Sequence, residues 1–313
     1  MQNVLVTGGA GFIGSHLCDR LIEDGYKVVC LDNLLTGSKK NIEHLLENPN
    51  FEFIEGDVTK PLAISNQPLD YIFHLASPAS PIDYQNYPEE TLLANSMGTI
   101  NVLKFAKESG AKILIASTSE VYGDPLEHPQ KETYFGNVNS FGPRSCYDEG
   151  KRYAEAATYV YIHKHNVDAR IIRIFNTYGP RMQKDDGRVV SNFIVNALGN
   201  IPFRIDGDGT QTRSFCYVDD LVDGIIKAMF SEKTSGEIFN LGNPVEFTIR
   251  QLAEEIVKIT ESKSEMVFNG AFRENDPMRR QPDITKAKAV LAWEPKVNLK
   301  EGLQKTIEYY KNN

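Results

Sequence analysis

The chain has 313 residues, 41% of them hydrophobic and 24% charged, enough for one large or two fused domains around a sizeable core. Its 34 Lys and Arg against 42 Asp and Glu leave a net charge of -8, which argues against a surface built to neutralise nucleic acid and calls for any phosphate site to be a local cluster of arginines. No apolar run reaches the roughly 20 residues that span a bilayer, and with a strand-like run starting at Asn3 no signal peptide is expected. The cysteines, Cys18, Cys30, Cys146 and Cys216, are too dispersed for a disulfide framework, so the expectation is a cytoplasmic protein with no membrane or nucleic-acid partner.

The first apolar run, residues 4–6, leads directly into Gly8-Gly9-Ala10-Gly11-Phe12-Ile13-Gly14 and a helix-compatible stretch at 15–22. Strand, glycine loop and helix in that order suit a pyrophosphate, because glycines let backbone approach it and the helix start is positively polarised. The second run, 28–31, ends at Asp32, 18 residues after Gly14, where a carboxylate can accept ribose hydroxyls and would repel a 2′-phosphate, favouring NAD over NADP. A helix-capping Asp is the plain alternative. After the third run, 51–54, comes Gly56-Asp57-Val58; Asp57 is a candidate adenine contact or simple turn chemistry.

Further runs at 71–75, 113–116 and 171–174 complete a set of consecutively apolar strands with gaps long enough for crossover helices. The rhythm predicts an α/β fold with a doubly wound parallel Rossmann sheet. Beyond residue 176 a Gly-Asp-Gly turn at 207–209, a late strand at 237–241 and a helix over 249–260 predict a smaller interleaved α/β substrate-binding domain. The division expected is 1–175 plus 213–245 for the cofactor and 176–212 plus 246–313 for the second ligand.

Tyr147 and Lys151 stand four apart, on one helical face, where the ammonium should favour the phenolate and lower the tyrosine pKa from about 10. Ser117-Thr118-Ser119-Glu120 closes the fifth strand, where active-site groups of this architecture belong. The histidines have no metal-ligand spacing, no Gly-x-Ser-x-Gly elbow is present, and Cys146 reads as a packing residue, so no metal or hydrolase site is expected.

The stretches GGAGFIGSHL, DNLLTGSKKNIEH, HLASPASP, STSEVYGDP, CYDEGKRYAE, RIFNTYGPRM, DGRVVSNFI, GDGTQTRSF, NLGNP, DPMRRQPDITKAK and WEP resemble the extended short-chain dehydrogenase/reductase superfamily and, within it, the UDP-glucuronate decarboxylase family. The resemblance implies decarboxylation of UDP-glucuronate to UDP-xylose through a 4-keto sugar, with NAD removing and returning hydride at carbon 4. It implies a catalytic set of Tyr147, Lys151, Ser119, Glu120, Thr118 and Arg280, with Tyr147 exchanging the hydroxyl proton and Arg280 acting near the carboxylate. Cofactor contacts are expected from Gly8, Gly11, Phe12, Ile13, Gly14, Asp32, Asn33, Thr36, Gly37, Asp57, Val58, Leu75, Ala76, Tyr147 and Lys151. Substrate contacts are expected from Asn176, Arg188, Val190, Arg213, Tyr217 and Arg280, whereas Arg181 and Arg279 read as surface cations. Leu93 stands where relatives commonly carry lysine. A homodimer is implied, pairing the helix of Tyr147 with the one before it. The rivals are a UDP-sugar 4-epimerase, against which Glu120 and Arg280 speak, and a dinucleotide-sensing protein, against which the retained Tyr147 and Lys151 speak.

Overall fold

In the computed structural model, which describes residues 1–62, 64, 68–270 and 279–313, every apolar run of the first half is a strand. These are β1 (Asn3–Thr7), β2 (Lys27–Asp32), β3 (Phe51–Glu55), β4 (Tyr71–His74), β5 (Lys112–Thr118) and β6 (Ala169–Ile174). Shorter strands follow: β7 (Thr177–Tyr178), β8 (Phe203–Ile205), β9 (Thr212–Ser214), β10 (Cys216–Tyr217), β11 (Ile238–Leu241), β12 (Glu246–Thr248) and β13 (Met266–Phe268). The helices are α1 (Phe12–Glu23), α2 (Pro81–Asn86), α3 (Pro88–Leu93), α4 (Thr99–Ser109), α5 (Ser145–His165), α6 (Val189–Leu198), α7 (Val218–Phe230), α8 (Ile249–Thr260), α9 (Thr285–Leu291) and α10 (Leu299–Asn312).

Seven strands form one parallel sheet in the order β11-β6-β5-β4-β1-β2-β3. Alternation explains why its strands are apolar at consecutive positions. Val4 and Val6 pack with Leu17, Leu21 and Ile225 from α1 and α7, while Leu5 between them packs with Val102, Leu103 and Ala154 from α4 and α5. A strand with helices on both faces has no wet side on which to place polar residues. The chain reverses direction across the sheet between β1 and β4, so a crevice opens at their carboxyl ends.

The later strands form two-stranded ladders, β7 with β10, β9 with β12 and β8 with β13. The helix expected over 249–260 is α8, started by a capping box in which the Thr248 hydroxyl accepts from Gln251 N–H and the Gln251 side chain accepts from Thr248 N–H. The stretch carrying Arg280 begins at residues 276–278, which lie outside the described residues. Among the described residues, no helix is long and apolar enough to cross a membrane.

Trp293 fastens the C-terminal segment to the sheet's helical layer. Its indole is fully buried, donates to the Asp220 carbonyl at 2.9 Å, and lies against Gly224, where an added Cβ would come within 2.9 Å of the ring. The Asp220 carboxylate in turn accepts the backbone N–H groups of Lys296 and Val297 at 3.0 and 2.8 Å. Trp293→Ala is expected to cost about 3–5 kcal/mol, read as a lowered urea midpoint with an unchanged slope.

Candidate active site

The crevice at the strand ends is a cleft of about 1250 Å³, larger than a pocket for one drug-sized ligand and suited to two. At one end the glycine loop passes under the Leu75-Ala76 backbone. Gly8 has φ +75°, and a Cβ there would lie 2.8 Å from Ala76 backbone; a Cβ on Gly14 would overlap the Gly8 carbonyl. The start of α1, capped by Gly11 with no side-chain hydrogen bond, keeps its first N–H groups available at the cleft.

Asp32 leaves β2 into this end. Its carboxylate accepts N–H groups of Ala10 at 3.0 Å and Leu34 at 2.8 Å, and Gly37 approaches so closely that a Cβ would lie 2.9 Å from Oδ1. Burial raises its pKa while the two backbone hydrogen bonds oppose the rise. Asn33, Thr36, Phe12, Ile13, Val58, Leu75 and Ala76 line the same region. A backbone cradle that tolerates no Cβ, ending at a buried carboxylate, fits the pyrophosphate and ribose of NAD. Asp57 also lines the cleft, while its carboxylate accepts Thr59 N–H at 2.8 Å, ordinary turn geometry.

The other chemistry gathers where β5 ends. Thr118 accepts Glu120 N–H at 3.2 Å and caps a short turn that turns Ser119 and Glu120 into the cleft. The first turns of α5 present Tyr147 and Lys151 to the same space, with the Tyr147 ring stacked on Tyr84 at 5.1 Å. Lys151 Nζ donates to the Ala116 carbonyl at 2.7 Å and sits 5.9 Å from the Tyr147 ring centre.

The expectation that Lys151 lowers the tyrosine pKa does not hold in the free protein. Burial pushes the Tyr147 phenol up to about 12, outweighing a hydrogen bond with Thr118 that favours the phenolate, and Glu120 and Asp148 push the same way. Burial likewise pulls Lys151 down to about 8. Both side chains are 6% exposed, and at that depth the loss of water costs each charged form more than their mutual arrangement returns.

Glu120 is clamped between two arginines. Arg280 Nη1 donates to Oε1, and Arg144 Nη2 donates to Oε2 at 2.5 Å; Arg280 also donates to the Gly123 carbonyl at 3.0 Å. Burial would raise the Glu120 pKa, but Arg280 and then Arg144 bring it below the usual carboxylate value. Sequence reasoning missed Arg144 and its neighbour Asp148. The only available signal was helical spacing, which puts Arg144 one turn before both Tyr147 and Asp148.

Arg188 and Arg213 line the far half of the cleft with Asn176 and Val190. Arg188 is aimed by Asp186, a buried carboxylate that accepts its backbone N–H at 2.9 Å, its Nε at 2.7 Å and the Ser191 hydroxyl at 2.6 Å. Arg181 borders the cleft but pairs with Asp19 at 2.7 Å, and Arg279 is exposed. Leu93 also lines the cleft. Tyr217 does not: its ring is buried against Tyr178 at 5.8 Å and beside Gly302 of α10. As the residue from which α7 starts, its side chain fills the gap under α10, a packing demand that outweighs any orientation toward ligand.

Holding Lys151 as a buried ammonium costs about 3 kcal/mol at neutral pH, from the fall of its pKa from 10.5 to about 8. The unfolded chain binds the extra proton between these values, so the cost is full below about pH 8 and fades toward 10.5. Lys151→Met is expected to stabilise the ligand-free protein by about 2 kcal/mol at pH 7, after loss of the Ala116 hydrogen bond, with the gain shrinking as pH rises. Chemical denaturation of both proteins at pH 7 and 10 checks it.

A family model described as GDP-mannose 4,6 dehydratase matches residues 5–306. UDP-glucuronic acid decarboxylase 5 of Arabidopsis thaliana is 55% identical over 305 residues, covering 96% of this chain and 87% of its own length. UDP-glucuronic acid decarboxylase 1 of Danio rerio is 52% identical over 309 residues, covering 99% and 72%. Among solved structures, the UDP-glucuronic acid 4-epimerase of Bacillus cereus, in complex with UDP-glucuronic acid and NAD, superposes with a TM-score of 0.89 at 31% identity over 99% of both chains. With a Rossmann sheet, a glycine cradle ending at Asp32, and Tyr147, Lys151 and Glu120 lining one cleft, the chain belongs to the UDP-glucuronic acid decarboxylase family of the extended short-chain dehydrogenase/reductases.

Proposed function

We propose that this chain converts UDP-glucuronate to UDP-xylose and carbon dioxide through a UDP-4-keto sugar. The observation that carries the reading is Glu120 held ionised by Arg280 and Arg144 beside Tyr147, a charge arrangement matched to a sugar whose carboxylate charge passes to an enolate and is then lost on protonation. Bound NAD supplies a hydride acceptor for sugar carbon 4 that is regenerated within each turnover.

The protein's own groups do the rest. Tyr147, in reach of the Thr118 hydroxyl, takes the 4-hydroxyl proton and later returns it, and Lys151 holds the nicotinamide ribose. Ser119 hydrogen-bonds the reacting sugar, Glu120 orients it, and Arg280 stabilises the charge that develops as the carboxylate departs. With Leu93 apolar, reading of that carboxylate falls to the arginines around Glu120. Arg188 and Arg213, with Asn176 and Val190, hold the diphosphate half of the substrate. On this reading residues 1–175 with 213–245 carry NAD and residues 176–212 with 246–313 carry the nucleotide sugar.

A homodimer in the cytoplasm completes the proposal. Leu92, Met97, Tyr159 and Val160, on α3, α5 and the turn between α3 and α4, are all at least 46% exposed, the apolar surface that a second copy would cover.

Carboxyl-labelled UDP-glucuronate incubated with the NAD-loaded protein should release labelled carbon dioxide and leave UDP-xylose. Retained label with UDP-galacturonate formed would convert the reading to a 4-epimerase. Tyr147→Phe should lower turnover by more than about 10²-fold with NAD affinity unchanged, checked by product formation and by titration with NAD.

A further inference from the structure

Behind the arginine-clamped Glu120 lies a second, small cavity of about 60 Å³, room for a water or two. Glu120, Arg144 and Arg280 line both this cavity and the main cleft, so they form the wall between the two. The remaining lining brings Asp148, Asp124, Asn137 and Asn139 together with Gly123, Gly142 and Pro143. Asp148 is 6% exposed, and its Oδ1 has no hydrogen-bond partner among the described residues; Arg280 Nε is buried and equally unpartnered. A buried acceptor and a buried donor left unpaired beside one cavity are unusual unless protons or water are exchanged there.

The proposed reaction, on which this inference rests, consumes one proton per turnover. The bond from carbon 5 to the carboxyl carbon breaks, its electron pair stays on the sugar as an enolate, carbon dioxide leaves, and a new C–H bond forms at carbon 5. We infer that Asp148 stores this proton, loading it as the substrate carboxylate enters and releasing it, through the wall of the small cavity, when that carboxylate leaves as carbon dioxide. The carboxylate so formed on Asp148 is reprotonated from solvent through the same cavity.

Charge balance argues for the loading step. An ionised Asp148 beside the ionised Glu120 would set a second negative charge close to where the substrate carboxylate enters. A proton on Asp148 removes that repulsion in a buried site, where like charges close together are costly. Substrate binding and proton binding therefore favour each other. The groups facing Asp148 act in both directions: Glu120 and Glu149 favour its proton and Arg144 and Arg280 oppose it, while Tyr84, Tyr147 and Cys146 adjoin it and Asp124 lies across the cavity. Burial leads the balance and leaves Asp148 at about 7, where a proton is both held and released readily.

The test uses NAD-loaded Tyr147→Phe, titrated calorimetrically at pH 7 with UDP-glucuronate in two buffers of different ionisation enthalpy. Uptake of about half a proton per site is expected, with none for UDP-xylose, which has no carboxylate. Adding Asp148→Asn should abolish the uptake; uptake that persists overturns the inference. In the otherwise native enzyme, Asp148→Asn should lower kcat about tenfold and flatten the fall of kcat/KM between about pH 6 and 8, and Asp148→Glu should restore that fall. An unchanged rate and pH profile in Asp148→Asn also overturns it. If the asparagine variant fails to fold, the glutamate variant decides, because a storage role predicts a shifted pH limb and a purely structural role predicts the native one. Failure of Tyr147→Phe to bind UDP-glucuronate, or of the native enzyme to release carbon dioxide, overturns the proposed function itself, a separate result from loss of proton uptake alone.

Discussion

One ion pair, between the buried Arg173 and the half-buried Glu155, fixes the reacting half of the cleft. Glu155, two turns beyond Tyr147 on α5, accepts both Arg173 Nε at 2.9 Å and Nη2 at 2.7 Å, and also the Ser117 hydroxyl at 2.5 Å. A single carboxylate thus ties α5 to β5 and β6. Arg173 continues to the Tyr122 hydroxyl at 2.9 Å, and Tyr122 donates to Asn240 on β11 at 2.7 Å. Asn240 then donates to the carbonyls of Gln130 and Asp283, and Gln130 pairs with the backbone beside Pro282. The chain of contacts runs from the helix of Tyr147 and Lys151 to the segment of Arg280, so the groups of the cleft share one frame. Breaking a pair of this kind by removing one partner leaves a buried charge uncompensated, which makes the frame rigid rather than merely stable.

That rigidity is what allows charges to be kept in unfavourable states. Tyr147 is held neutral, Lys151 is held as a strained ammonium, and Glu120 is held ionised at a depth where burial alone would protonate it. Each departure has a different source: burial for the first two, paired arginines for the third. Groups in one site whose environments push them apart in proton affinity are the ordinary basis of acid and base assignment. A floppy frame would let water in and return all three toward their solution behaviour.

Local pattern carried the architecture because the relevant forces are local or periodic. Consecutive apolar residues at 4–6 and 113–116 require helices on both sheet faces, and Thr248 with Gln251 marks a helix start by reciprocal hydrogen bonds three residues apart. The strand-loop-helix context of Gly8 to Gly14 carried the cradle for the same reason. What local pattern does not carry is the sum over distant contacts. Arg144 acts on Glu120 from 24 residues away and Arg280 from 160, and no spacing announces either clamp. The direction of the Tyr147 shift follows from depth of burial, which four-residue spacing to a lysine does not report. Tyr217 fails similarly, since its neighbours Tyr178 and Gly302 lie 39 and 85 positions away and decide its orientation through packing.

An acidic chain that handles an anionic nucleotide sugar meets an apparent conflict of sign, and the cleft resolves it by geometry. Its arginines are not left as free positive charge: Arg188 is held by Asp186, and Arg144 and Arg280 are held by Glu120. Each pairing gives up raw attraction and gains direction, because a guanidinium fixed on one edge by a carboxylate presents its remaining donors along set lines. Affinity for anions in general is thereby reduced and selectivity for one anion geometry increased. Around Glu120 the number of negative charges depends on the protonation of Asp148, whose proton Glu120 favours. A site so balanced responds to the arrival and loss of a single carboxylate, the charge change that distinguishes decarboxylation from epimerisation at carbon 4.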